Sequence, residues 1–242
     1  MSALGHYLEE EGIATVAIGL IRPQIENTRP PRALWVPFEL GRPFGPPNDP
    51  AFQNDVILAA LRMLERTDGP VAIEDFPRDD PRERSDPAWR APSTATPSGA
   101  ASSAIADALQ GEIVQLAAAY RRSVAERGRT TVGLSGLSIG DIGDYLAAWL
   151  RGKNPASPNA EVSAPLTLRF AVDDLKAYCL EAALAGPAKP SSKQLGDWLW
   201  NATAAGAAIQ ALRRGYRDAT DDRLKLIAGN FLVPGLRVPP GG

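Results

Sequence analysis

Hydrophobic positions along this chain follow two different periods, and the change from one to the other marks out the elements. In residues 2–11 and 50–66 they recur at helical spacing, in the second stretch as Phe52, Val56, Ala59, Ala60 and Met63. Residues 13–20 and 32–36 are instead continuous apolar runs, and 70–73 is a shorter one after Asp68-Gly69; each reads as a buried strand. Asn48-Asp49-Pro50 is a helix start, with proline in the first turn, where its missing N–H is not needed. Strands alternating with helices predict a parallel α/β unit with right-handed crossovers over residues 1–76. A unit of that size with three strands buries only about 60% of its unfolded surface, and parallel strands require cover on both faces. Its short parallel sheet is therefore expected to be incomplete alone.

Residues 77–100 change character, to Asp, Arg, Pro, Ser and Thr with hardly any apolar side chains. Such a composition does not repay the entropy of ordering, and it predicts a linker or a wrapping arm. The remaining residues, 101–242, read as a mainly α-helical domain. Helices are expected over 102–126, 138–150, 172–184, 192–216 and 221–228, with Pro and Gly breaks between them. Asp173-Asp174 and Asp221-Asp222 look like acids placed at helix starts, where the dipole favours them. Trp198, Trp200 and Tyr216 read as core aromatics around a long alanine-rich helix.

Composition narrows the function classes. The 242 residues carry 26 basic and 28 acidic side chains, a net charge of −2, and the arginines are scattered, which argues against nucleic acid as a partner. No segment approaches the roughly 20 apolar residues of a membrane span, and the first residues have no leader pattern, so a cytoplasmic location is expected. One cysteine excludes an intramolecular disulfide, and one cysteine with one histidine argues against a protein-only transition-metal site. No cofactor is called for.

The candidate chemistry concentrates in one loop. Gly41-Arg42-Pro43-Phe44-Gly45-Pro46-Pro47-Asn48 lies between an apolar strand and a helix, so its amides and those of the helix start are expected to converge on a small anion, with Arg32 or Arg42 supplying charge. Gly136-Leu137-Ser138-Ile139-Gly140 matches the G-x-S-x-G nucleophile elbow, with the apolar Thr131-Val132-Gly133-Leu134 before it as the expected strand and a helix after it. The only histidine, His6, precedes the serine instead of following it, and Ser138 with Asp141 forms an S-x-x-D helix cap, so a hydrolase is set aside. Asn201-Ala202-Thr203 matches a glycosylation sequon with no export signal to give it meaning.

Several of these positions together resemble the selenoprotein B family, the redox subunits of the glycine, sarcosine, betaine and D-proline reductases. The matches are Glu10, Gly12, Ile13 and Thr15, then Pro31, Arg32 and Ala33, then Gly41, Gly45, Pro47 and Asn48, and finally Gln53. They cover roughly the first third of the chain and correspond to the C-terminal part of the family domain. The family's Sec-x-x-Cys or Cys-x-x-Cys pair has no counterpart, since the single cysteine, Cys179, lies far away. The resemblance implies a subunit of an oligomeric reductase-like assembly in which another chain supplies the Sec or Cys nucleophile. A small carboxylate substrate would be bound by Arg32 and Arg42, with Gly41, Gly45, Pro47, Asn48 and Gln53 shaping the loop and His6 as a proton donor. The alternative is a non-catalytic interaction or scaffold subunit that keeps half an α/β domain as a sheet-pairing surface.

Overall fold

A computed structural model describes residues 2–81, 85–92, 94 and 101–238. The chain divides into two compact units, Met1–Arg84 and Ser85–Gly242. The first is α/β with a short open parallel sheet, and the second is helical.

In the first unit the order is α1 (Ser2–Glu10), β1 (Ala17–Gly19), α2 (Arg22–Thr28), β2 (Arg32–Trp35), α3 (Pro50–Arg62), a 3-10 turn at Met63–Glu65, and β3 (Ala72–Asp75). The strands lie side by side as β1-β2-β3, all parallel, with Ala17 opposite Ala33 and Ala33 opposite Ile73. Alternation then sorts the side chains. Ile18 and Leu34 face α3 and join Phe52, Val56 and Met63 in one core, closed by Phe38 and Phe76. The rings of Phe38, Phe52 and Phe76 lie 5.5, 5.8 and 5.9 Å apart, tilted or edge-on as aromatic quadrupoles prefer. The opposite face carries Ala17, Gly19, Ala33 and Trp35, with Ile25 of α2 against Gly19 so closely that a Cβ there would meet Ile25 Cδ1 at 2.4 Å.

The expected strand over 13–20 is only three residues long, because its first half closes α1 instead. Gly12, at a left-handed φ of 80°, donates its N–H to Glu9, and Ile13 donates to Leu8, a Schellman closure that uses up the helix-end carbonyls. Helix α2 adds an element that hydrophobic period does not mark, with Pro23 in its first turn as a local signal.

The helical unit comprises α4 (Ser102–Arg127), α5 (Ile139–Leu150), α6 (Ala164–Ala183), α7 (Ser192–Ala202), α8 (Ala204–Tyr216) and α9 (Asp222–Asn230). Its core is continuous, with Leu109, Leu116, Ile142, Leu168, Leu175 and Ile209 among its most buried side chains. Three expectations are corrected. Helix α6 begins at Ala164, with Pro165 in its first turn, so Asp173 and Asp174 sit mid-helix and not at a start. The helix expected over 192–216 breaks at Thr203, whose φ of −120° is extended and whose hydroxyl accepts from the Gly206 N–H and donates to Leu199 O. Residues 131–134 form no strand. Asp221 does cap α9, accepting from the Leu224 N–H at 2.9 Å.

Within the polar stretch 77–100, residues 85–92 belong to the helical unit. They have no helix or strand, yet Trp89 packs on the helical core and donates its indole N–H to Ala183 O, while Asp86 exchanges hydrogen bonds with Gln194 and accepts from the Lys189 N–H. Trp198 also donates its indole N–H to Pro92 O, and the Thr94 hydroxyl donates to Ala202 O. Residues 82–84, 93 and 95–100 of the same stretch lie outside the described residues.

Candidate functional site

The loop expected to receive an anion follows the C-terminal end of β2, and part of its hydrogen-bonding capacity is spent internally. Gly45 has a left-handed φ of 82°, its N–H donates to Arg42 O, and a Cβ there would meet the Phe52 ring at 2.5 Å. That glycine is required by packing as much as by the turn. Asp49 caps α3 by accepting from the Phe52 N–H at 3.1 Å, which places the chain's own carboxylate where an external anion would sit. Gln53 donates to Pro46 O at 2.9 Å and stiffens the loop. Gly41, Arg42, Pro47 and Asn48 are exposed, and Arg42 pairs with Glu39 at 3.5 Å. Of the expected residues, Arg42 is the cation that this loop presents to solvent.

Arg32 is not brought to that loop. It opens β2, whereas the loop follows the other end of the strand, roughly 10 Å of extended chain away. Its guanidinium is held by Glu9 of α1 and donates to Arg66 O, and Glu9 also accepts from the backbone and hydroxyl of Thr15. Burial raises the Glu9 carboxyl, but hydrogen bonds from Arg32 and Thr15 outweigh it and hold the group below its ordinary value. Arg66, Asp68 and Glu74 continue this network, and the Arg66 guanidinium lowers the Asp68 carboxyl to about 2. His6 lies beside the same end of the sheet and hydrogen-bonds through Nε2 to Arg29 O at 2.8 Å; since a carbonyl only accepts, that nitrogen carries the proton. The cluster ties α1 to the N-terminal ends of the strands. The expectation that Arg32 joins the loop fails because the sequence does not show which end of a strand a residue marks.

Near β1 the unit presents apolar surface. Helix α1 has no buried residue, and Leu4, Tyr7, Ile13 and Ile21 are 54, 69, 54 and 50% exposed. A groove of about 530 Å³ runs along β1 between α1 and α2, with Ala17, Ile18 and Gly19 as its floor and Ser2, Gln24 and Thr28 on its walls. Strand β1 is an edge of the sheet, and so is β3. The two edges differ: β3 ends in the exposed Glu74 and Asp75, charges that blunt an edge, whereas β1 is Ala-Ile-Gly.

The helical unit explains the false hydrolase motif. The buried Asp174 carboxylate accepts from the N–H groups of Gly133, Leu134 and Ser135 and from the Ser135 hydroxyl, at 2.6 to 2.9 Å, so the residues just ahead of the motif wrap around a carboxylate, while Gly136 turns back onto Gly133 O and Gly140 lies within α5. Ser138 caps α5 through the Asp141 N–H and bonds the Asp141 carboxylate. Glu181 binds Thr130 and Thr131 next to that loop, and Glu112 of α4 caps α8 through the N–H groups of Ala204 and Ala205. Cys179 is fully buried, and burial pushes its thiol well above the ordinary range, away from nucleophile chemistry.

Among the described residues no cluster of three or more His, Cys, Asp or Glu side chains is placed to hold a metal ion, and no helix is long and apolar enough to cross a membrane. Comparison of the chain with protein-family models, with curated proteins and with solved structures found no match to any of them.

Proposed function

We propose that this chain is an interaction subunit whose N-terminal half-sheet is completed by a strand from another polypeptide. The observation that carries this reading is the uncharged edge strand β1, flanked by an α1 without a buried residue and by four exposed large apolar side chains. In a parallel sheet alternate residues of an edge strand turn their N–H and C=O outward. Gly19 O accepts from Val36 on the β2 side, so Ile18 is the residue whose groups point to the free edge. An extended segment of another chain is the occupant that satisfies them, with the apolar side chains flanking its path.

On the resemblance to the selenoprotein B family, the added chain is the one that carries the Sec or Cys nucleophile. The burial of Cys179 supports a redox group from outside this chain. Arg42 favours a role in carboxylate binding, because its loop stands at the carboxyl end of β2, where open parallel sheets bind ligands. In this reading Arg42 meets the carboxylate on the solvent side of the loop shaped by Gly41, Pro47 and Asn48, away from the helix start that Asp49 caps, while Arg32 and His6 support the scaffold.

Affinity capture with wild type and Ile18→Pro tests the assembly. Proline removes the outward N–H, and the expected result is loss of a heteromeric partner while the circular dichroism of the chain is retained. A monodisperse monomer that captures no partner in either form, in lysate of its source cells, overturns the proposal. Titration of the captured assembly with glycine, betaine and proline tests the carboxylate role separately; equal binding by wild type and Arg42→Ala removes Arg42 from it.

A further inference from the structure

We propose that α1 is a latch across the open edge of the sheet, which lifts by local unfolding to admit the added strand. This rests on the reading that β1 receives such a strand, and supplies the regulation of that site. Two spaces lie along β1. The groove between α1 and α2 has Ala17, Ile18 and Gly19 as its floor, and a smaller space of about 180 Å³ is walled by Leu4, Gly5 and Leu8 of α1 with Thr15, Val16 and Ala17. Ser2, Ala17 and Pro30 line both, so the first turn of α1 stands between them. Once α1 lifts, the two join into one channel that follows the chain from Thr15 to Gly19, the path an added strand takes past Ile18.

The way α1 is held fits a part that detaches at one end. None of its residues is buried, and Leu4 and Tyr7 already stand more than half exposed, so lifting it uncovers little apolar surface. Its first residues are tied by two exposed contacts: Ser2 Oγ donates to Thr28 Oγ1 at 2.9 Å, and His6 Nε2 donates to Arg29 O at 2.8 Å. Water replaces such bonds at little net cost. The other end is anchored. Glu9 is held by Arg32 and by the backbone and hydroxyl of Thr15, and Ile13 closes back onto Leu8 O. Between the two ends α1 seats by close approach, since a Cβ on Gly5 would meet Pro31 Cδ at 3.2 Å and Thr15 Oγ1 at 3.3 Å. A helix of nine residues is marginal by itself, so the turns that leave this seat unwind.

Amide exchange of the full chain reads the lifting without any partner. The amides of His6 to Leu8 are expected to exchange roughly a hundredfold faster than those of Val56 to Ala60 in α3, at a rate that low urea leaves unchanged, because the opening is local. Ser2→Ala with His6→Ala is expected to speed the α1 amides severalfold and leave α3 as it was. Exchange of α1 as slow as that of α3, with the same urea dependence, overturns the proposal. A staple, Ser2→Cys with Thr28→Cys, tests the consequence, and the buried Cys179 does not compete for it. When oxidised, the staple is expected to slow the α1 amides tenfold or more and to abolish the partner capture described above; dithiothreitol restores both. Undiminished capture by the oxidised chain overturns the latch. If the staple does not close, Ser2→Ala with His6→Ala replaces it, with increased capture expected and unchanged capture as the contrary result. Failure of the sheet-completion reading looks different: α1 exchanges fast and the staple slows it, yet no form captures a partner, and the proposal falls with that reading.

Discussion

Arg32 shows how much a residue's meaning depends on the end of the strand it occupies. Its side chain is 16% exposed and is held by Glu9, itself 24% exposed, so this ion pair is screened less than a surface pair. Arg32→Lys keeps the charge but loses the planar fork that reaches Glu9 and Arg66 O together. The expected outcome is a loss of about 1–2 kcal/mol, read as a lower Tm by calorimetry, whereas Arg42→Lys leaves the Tm unchanged within a degree. Asp174→Ala strands three backbone N–H groups and a hydroxyl that now share a buried carboxylate, and roughly 3 kcal/mol or more is expected in urea unfolding. Glu181 adds a pH dependence. Burial raises its carboxyl, but hydrogen bonds from Thr131 and Thr130 outweigh that and hold it below its ordinary 4.5. A carboxyl lowered on folding contributes stability that is present above pH 4.5 and lost as the pH falls through the folded value. Glu181→Gln therefore flattens the acid side of the stability profile below pH 4.5 and leaves the alkaline side as it was; an unchanged acid slope contradicts the assignment.

At the scale of elements, the break between α7 and α8 is the sharpest case of packing overriding local preference. Residues 192–216 are rich in alanine and good helix formers, and nothing local demands an interruption. Thr203 interrupts them because its hydroxyl caps the second helix while the buried Glu112, reaching from α4, accepts from the next two N–H groups. Gly206 completes the joint. A Cβ there would lie 2.1 Å from Leu199 O, a backbone atom that has no room to move aside. Gly→Ala in a helix ordinarily stabilises by about 1 kcal/mol, but at this position the sign is expected to reverse, with Gly206→Ala lowering stability by several kcal/mol in thermal unfolding. Gly215→Ala, whose Cβ would meet nothing within 4 Å, is the control expected to follow the helix propensity and gain stability.

For the molecule as a whole, the two units differ in how completely each satisfies itself. The helical unit buries most of its large apolar side chains, with Val114, Leu134, Leu226 and Phe231 left exposed, and seals three carboxylates with backbone amides. The α/β unit leaves an apolar edge strand and an unburied helix. Cys179 offers a probe of the helical unit. In the native chain it should stay unreactive toward a thiol reagent for as long as the helical core remains closed, and react stoichiometrically in denaturant. Fast native labelling would mean that this core opens readily. Light scattering probes the α/β unit: association that Ile18→Pro abolishes is the expected signature of an open β1 edge.

What the sequence by itself determined was mostly periodic. The helical spacing of Phe52, Val56, Ala60 and Met63 marked α3, the apolar runs marked the strands, and the acids and serines ahead of helices marked the caps at Ser138 and Asp221, because these signals act within one or two turns of chain. Only the tertiary structure decided that Arg32 belongs with Glu9, that Gly45 is required by the Phe52 ring, that Gly133 to Ser135 curl around Asp174, and that Glu112 splits a helix 92 residues further on. Each of these pairings joins residues distant in the chain, or depends on which face or end of an element a side chain occupies. Local propensity and hydrophobic period carry no record of either, since they describe a segment against its neighbours in sequence and not against the surfaces it meets once folded.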